Sequence, residues 1–144
     1  MKIENRKASH DYFIEKTYEA GMVLLGSEVK GIKDGRCNLK GSFIKIIKNE
    51  VFMFNVHISN IDIINFYQKH DETRERKLLL KRKEINKLDE FLDLNQGYTL
   101  IPLEVYNVKG LLKCKFGLCK GKKLYDKRES LKQKDISRYN EQHI

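Results

Sequence analysis

Phe43-Ile44-Lys45-Ile46-Ile47-Lys48-Asn49-Glu50-Val51-Phe52-Met53-Phe54-Asn55-Val56-His57-Ile58 alternates as a β-hairpin does. Ile44 and Ile46 lead into a polar turn at Lys48-Asn49-Glu50, after which Phe52, Phe54, Val56 and Ile58 alternate with Met53, Asn55 and His57. That is the period-two signature of half-buried strands. Downstream, Tyr98 to Cys119 repeats it, with Ile101, Leu103 and Val105 inward, a turn at Asn107-Val108-Lys109-Gly110, and Leu112, Cys114, Phe116 and Leu118 inward on the return. Lys113 and Lys115 point outward from that strand. Pro102, the one proline, cannot donate to a ladder, so an edge or a bulge is expected there. Upstream, Asp11 to Thr17 reads as a strand with Tyr12 and Ile14 on one side, and Ser27 is placed to cap a short helix carrying Val29 and Ile32 that stops at Gly35. Between the hairpins, Leu78, Ile85, Leu88 and Leu92 recur at helical spacing until Asn95-Gln96-Gly97. The predicted fold is mainly β: an OB-type closed or partly open small β-barrel with two or three short helices.

The 144 residues suit one domain with a real core, and the chain carries a formal net charge of +9. Residues 1 to 108 hold 18 Lys or Arg against 16 Asp or Glu, and residues 109 to 144 hold 11 against 4. The excess therefore sits at the C-terminal end, as it would in a nearly neutral body bearing a cationic arm. The expected division is a body over 1–120 and a basic C-terminal tail over 121–144, disordered when free and helical when docked on RNA. Cys37, Cys114 and Cys119 form no CxxC pair and are odd in number, so free thiols are expected rather than a disulfide framework or a zinc knuckle. No apolar run approaches the ~20 residues that span a bilayer, and Met1 to Lys7 lacks the apolar core of a signal peptide, which suits a reducing cytoplasm.

Catalytic constellations are missing from the sequence: there is no HExxH, no GxSxG and no GxGxxG after a strand, and His10, His57, His70 and His143 are scattered. No metal, cofactor or small-molecule substrate is expected, and the chain reads as a binding protein, not an enzyme. Gly117-Leu118-Cys119-Lys120-Gly121-Lys122-Lys123 imitates a phosphate-cradling loop, yet it is one residue short and has lysine where Ser or Thr must hold magnesium. As RNA chemistry the same stretch is coherent. Glycine allows close backbone approach, lysines neutralise phosphate, and Tyr125 can stack on an unpaired base. Asp126-Lys127-Arg128 follows it, and two further basic groups stand upstream: Asn5-Arg6-Lys7 with His10, and Arg74, Arg76, Lys77, Lys81, Arg82 and Lys83 around Leu78-Leu79-Leu80. For the latter, buried leucines with solvated charges is an equally good account.

Taken in order, Asn5-Arg6-Lys7-Ala8, His10-Asp11-Tyr12-Phe13-Ile14-Glu15, Glu19-Ala20-Gly21, Gly26-Ser27-Glu28-Val29-Lys30, His57-Ile58-Ser59, Thr73 to Leu80, and Gly121-Lys122-Lys123-Leu124-Tyr125-Asp126-Lys127-Arg128 closely resemble the SmpB family, the SsrA-binding proteins of bacterial trans-translation. The resemblance spans nearly the whole chain. It implies a monomeric OB-type adaptor that binds the tRNA-like domain of transfer-messenger RNA (tmRNA). Its tail would enter the decoding site and the empty messenger channel of a stalled ribosome, against small-subunit RNA. Elongation factor Tu would be met indirectly, through aminoacylated tmRNA. By the same resemblance Asn5, Glu19 and Leu79 are tmRNA-binding positions, with Arg6, Lys7 and His10 close by and Arg74 and Arg76 in the second basic group. Gly121, Lys122, Lys123, Tyr125, Asp126, Lys127 and Arg128 are the decoding-site segment. Glu19 is the unexpected member, because a carboxylate repels phosphate; it can accept hydrogen bonds from base amino groups or a ribose hydroxyl. The sequence departs from the family in lacking a proline near Asn60, a proline near Glu72 and an arginine near Ser9.

A general OB-type structured-RNA or ribosome-associated module would share the charge and the barrel without preferring tmRNA. An RNA-processing enzyme would alter RNA covalently, for which the motifs offer nothing.

Overall fold

The computed structural model describes residues 2–60 and 69–122. Among these residues nine strands and three helices follow one another as β1 (Lys2–Glu4), α1 (Arg6–Asp11), β2 (Tyr12–Met22), α2 (Gly26–Lys33), β3 (Cys37–Asn38), β4 (Phe43–Ile47), β5 (Glu50–Phe54), β6 (His57–Ile58), β7 (Arg76–Leu79), α3 (Arg82–Leu94), β8 (Tyr98–Val108) and β9 (Leu111–Gly121). Seven of the strands form one antiparallel sheet in the order β1-β8-β4-β5-β7-β2-β9, and β9 also pairs with β8, so the sheet closes into a ring. Only Ile44↔Leu100 ties β4 to β8, so the barrel is loosely sealed there. β3 and β6 form a separate small ladder.

Both predicted hairpins are present, and their turns are tighter than expected. Ile47 pairs with Glu50 around Lys48 (φ 50°) and Asn49 (φ 63°), and Val108 pairs with Leu111 around Lys109 (φ 51°) and Gly110 (φ 85°). Two successive left-handed residues match the right-handed twist of the flanking strands. Pro102 lies at a register shift between Pro102 and Glu104, a bulge that spares it from donating. The core fills the ring with Ala20, Ile44, Val51, Met53, Leu78, Leu88, Leu100, Cys114 and Phe116, and the Phe116 ring stacks on Tyr18 at 5.3 Å.

Four expectations differ from the structure. Val51 and Met53 are the buried residues of β5, not Phe52 and Phe54, because Asn55 (φ 61°) breaks the strand and resets the alternation before the buried Val56 and Ile58. Leu78 is buried on a strand, β7; the helix takes only Ile85, Leu88 and Leu92 of that series. Residues 6–11 wind as α1, so the strand expected from Asp11 starts at Tyr12 as β2, and a register shift between Ile14 and Lys16 leaves Ile14 exposed. Leu25, not Ser27, precedes α2; the Glu28 carboxylate accepts the Leu25 N–H at 2.8 Å, while Ser27 Oγ meets His70 Nδ1 at 2.8 Å. Gly35 (φ 76°) ends that helix as expected. The phosphate-loop lookalike lies mostly within β9, extended rather than wrapped.

Candidate nucleic-acid interface

One outer row crosses four strands. Glu19 on β2 faces Lys115 on β9, Lys115 faces Glu104 on β8, and Glu104 faces Glu4 on β1. One pair along, Gly21, Lys113, Tyr106 and Lys2 form the parallel row. Lys2 Nζ stands 3.4 Å from Glu104 and 3.5 Å from Glu4, and hydrogen bonding to Glu104 leads the effects that raise its pKa. The Tyr106 hydroxyl reaches over β9 to donate to Glu19 Oε2. Burial, then the bond to Glu19, pushes that phenol up to about 12, so it remains a donor at physiological pH. Leu79 sits opposite Gly21, and 54% of it is exposed. A Cβ on Gly21 would make ordinary van der Waals contact with the Leu79 Cβ at 3.6 Å, so the two positions lie side by side. Glu19 and Leu79 thus share one outer surface.

The N-terminal residues join this surface through Glu4. A groove lined by Glu4, Arg6, Ser9, Thr17, Glu104 and Lys115 runs from α1 to the row. Arg6 has 92% of its side chain exposed, with one 4.0 Å contact to Glu4, and Lys7 is exposed. His10 Nδ1 meets Asp11 Oδ1 at 2.9 Å. Asn5 faces inward. Its Oδ1 accepts from Ala8 N at 3.3 Å as the cap of α1, while Nδ2 donates to Leu39 O at 3.2 Å and Pro102 O at 2.9 Å. These bonds within the fold fix the start of α1 and with it the positions of Arg6 and Lys7.

Arg76 is a correction to the expected set. Its side chain is 0% exposed: Nε donates to Glu28 Oε2 at 2.6 Å, Nη1 to Val56 O, and Nη2 to Glu72 O at 3.2 Å. A guanidinium so enclosed cannot reach phosphate. Arg74 Nη2 also holds Glu28, at 2.6 Å, and keeps about a third of its side chain in solvent. Burial alone would raise the Glu28 pKa, but Arg74, the Leu25 N–H and Arg76 outweigh it and hold the carboxyl below its ordinary value. The sequence signal for Glu28 was its place at the third position of α2, where a carboxylate serves the helix start.

On the other side of α1, sequence reasoning missed a basic groove of about 510 Å³ lined by Lys7, Lys40 and Lys45 with Tyr12 and Phe43. Lys45 Nζ lies 5.5 Å above the Phe43 ring, which stacks on Phe54 at 5.3 Å. The available signal was Phe43 two residues before Lys45 on β4, a spacing that puts ring and ammonium on one side of the strand.

Gly121 closes β9 opposite Tyr12. Lys122 N donates to Asp11 O at 2.9 Å, its Nζ to Ser9 O at 3.3 Å, and the ammonium lies 5.0 Å from the Phe13 ring centroid. The expected site residues Lys123, Tyr125, Asp126, Lys127 and Arg128 lie outside the described residues. Cys37, Cys114 and Cys119 are free thiols, and burial raises the pKa of all three, Cys37 and Cys119 to about 11. Among the described residues no cluster of His, Cys, Asp and Glu is arranged to hold a metal, and no helix is long and apolar enough to cross a membrane.

Comparison with known proteins gives a consistent result. The family model described as SmpB protein matches residues 2–144. The SsrA-binding protein of Geobacillus thermodenitrificans (strain NG80-2) is 56% identical over 135 residues, covering 94% of this chain and 86% of that one. The SsrA-binding protein of Bacillus subtilis (strain 168) is likewise 56% identical over 94% of this chain and 85% of its own. A solved structure described as "tmRNA-SmpB: a journey to the center of the bacterial ribosome" superposes with a TM-score of 0.71 at 38% identity, over 90% of this chain and 94% of that chain.

Proposed function

The chain belongs to the SmpB family, and from that premise we propose that it is a cytoplasmic RNA-binding adaptor of trans-translation, with tmRNA and the ribosome as partners and no catalytic step. The barrel face around Glu19, Leu79 and α1 takes the tRNA-like domain of tmRNA. The segment beyond Lys122, with Tyr125 and Asp126-Lys127-Arg128, takes the decoding site and the messenger channel, where no codon is present to be read. Elongation factor Tu is engaged only through the aminoacylated RNA.

The observation that carries this reading is the match of the SmpB family model along residues 2–144, body and following segment together. Lysine and arginine exceed the acids in both parts: residues 1–120 hold 22 against 16 Asp or Glu, because Lys109, Lys113, Lys115 and Lys120 belong to the β8–β9 hairpin, and residues 121–144 hold 7 against 4. Affinity for a folded RNA can come from phosphate, shape and base contacts on the body, while the basic segment neutralises ribosomal phosphate.

The test is a truncation after Lys122, chosen because Gly121 and Lys122 are still bonded to Tyr12 and Asp11. The truncated protein should keep its tmRNA affinity and lose tagging of nascent chains on stalled ribosomes. A large loss of tmRNA binding would contradict the division. The basic groove at Lys7, Lys40 and Lys45 would serve a general structured-RNA binder equally well. That alternative predicts equal competition by ordinary tRNA and tmRNA in a gel run at fixed salt.

A further inference from the structure

Glu19 raises a physical question that its place on an RNA-binding face does not answer. A carboxylate costs affinity wherever phosphate approaches, and a glutamate on an exposed strand ordinarily samples many rotamers. Here it does neither of the things that would make it harmless. Among the described residues it forms no ion pair within 4.0 Å, and one of its oxygens is held by a tyrosine from two strands away. Tyr106 is itself set between Lys2 and Lys113 in the neighbouring row, and its hydroxyl spans β9 to arrive at Oε2. A carboxylate offers about four lone-pair sites. One is spent on Tyr106 at Oε2, and among the described residues none donates to Oε1.

We infer that Tyr106 is a positioning residue that fixes the Glu19 carboxylate so that its remaining oxygen accepts from the amino edge of an unpaired base in the bound RNA. The inference rests on the tmRNA-binding role proposed for this face. The chemistry excludes phosphate, whose oxygens cannot donate, and of the two donors left the exocyclic amino groups of cytosine, adenine and guanine differ from base to base whereas the ribose hydroxyl is common to every nucleotide. Unpaired bases in loops expose those edges. Lys115, facing both Glu19 and Glu104, supplies positive charge beside the carboxylates for the neighbouring phosphate. A preset acceptor loses less rotamer freedom on binding than a free one, which is what the tyrosine contributes.

The experiment is a double-mutant cycle on the full chain, with the tRNA-like domain of tmRNA as the probe, at two salt concentrations. Glu19→Ala should weaken binding about tenfold, the loss expected for a hydrogen bond to a charged group. Simple relief of repulsion would instead tighten it. Tyr106→Phe, which leaves net charge untouched, should weaken binding about threefold to tenfold without changing the salt dependence, because no phosphate contact is lost. In the Glu19→Ala background Tyr106→Phe should have no further effect.

Glu19→Asp provides a second route that avoids any folding defect at Tyr106, since it keeps the charge but draws the carboxylate one methylene away from the phenol. It should lose as much affinity as Tyr106→Phe and be indifferent to that second change. Unchanged or tighter binding by Glu19→Ala would remove Glu19 from the interface and overturn the reading of this face. Weakening by Glu19→Ala with Tyr106→Phe silent, or additive losses in the double variant, would overturn the positioning role alone.

Discussion

Arg76 Nε donates to Glu28 Oε2 at 2.6 Å with both side chains wholly out of solvent, and this pair locks α2 to β7. Removing one partner strands the other charge in the interior. Glu28→Ala and Arg76→Ala should each cost about 3 to 5 kcal/mol in urea unfolding, well above the ordinary point-mutation range. A cost under 1 kcal/mol for both would show that water reaches the pair.

Glu28 also sets a pH signature. Its folded-state pKa lies below the ordinary 4.5, so the unfolded chain takes up the proton first as pH falls. The stabilisation is complete above about pH 4.5 and drains as pH drops through the lower folded value. Between pH 7 and pH 3 the wild-type stability should therefore fall more steeply than that of Glu28→Gln. Parallel curves would remove this carboxyl as a source of acid sensitivity.

Asn5 tests whether a residue expected at the RNA acts through the fold. Asn5→Asp retains the oxygen that caps α1 but replaces the donor that serves Leu39 O and Pro102 O. A carboxylate set against two carbonyl oxygens should cost about 1 to 3 kcal/mol. The checking measurement is the denaturation midpoint beside tmRNA affinity: a shifted midpoint supports the structural account, and lost affinity at an unchanged midpoint refutes it.

Much of the fold could be read from the sequence because hairpins announce themselves locally. Alternation marked both of them, and Pro102 marked its bulge. What failed was either a break that the residues permit without requiring or a pairing that only the fold decides. The Phe52 and Phe54 error came from a left-handed Asn55 that asparagine tolerates but does not demand. Leu78 fits a helical stripe equally well until β5 claims it as Val51's partner. For the site, Glu19 and Leu79 came from the family resemblance, and the structure supplies what composition lacks: that they share a surface, that Tyr106 touches one of them, and that Arg76 belongs to the interior. A basic side chain in a basic cluster shows no sign in the sequence that its counterion is 48 residues away.

Gly31 offers a contrast in packing. A Cβ there would lie 2.7 Å from Ser59 O and 2.8 Å from Ile58 Cγ2, whereas one on Gly26 would meet nothing within 4 Å. Gly31→Ala should cost about 1 to 3 kcal/mol, because a backbone oxygen must move. Gly26→Ala should be close to neutral or slightly stabilising. Equal thermal midpoints for the two variants would mean that the α2 and β6 contact is softer than its geometry.

Leu79 is exposed and makes no demand on the core, so Leu79→Arg should unfold like the wild type. It should nonetheless weaken binding of the tRNA-like domain by about tenfold or more, as loss of a buried apolar anchor does. Unchanged affinity would take Leu79 off the interface despite its neighbourhood with Gly21 and Glu19.

β9 is bonded along its length to β2 on one side and β8 on the other, and its last residue, Gly121, leads directly into the cationic segment. Tension drawn along that strand from its C-terminal end loads both ladders in shear at once, instead of peeling them one bond at a time. Whatever grips the segment beyond Lys122 therefore pulls on a strand fastened on both sides.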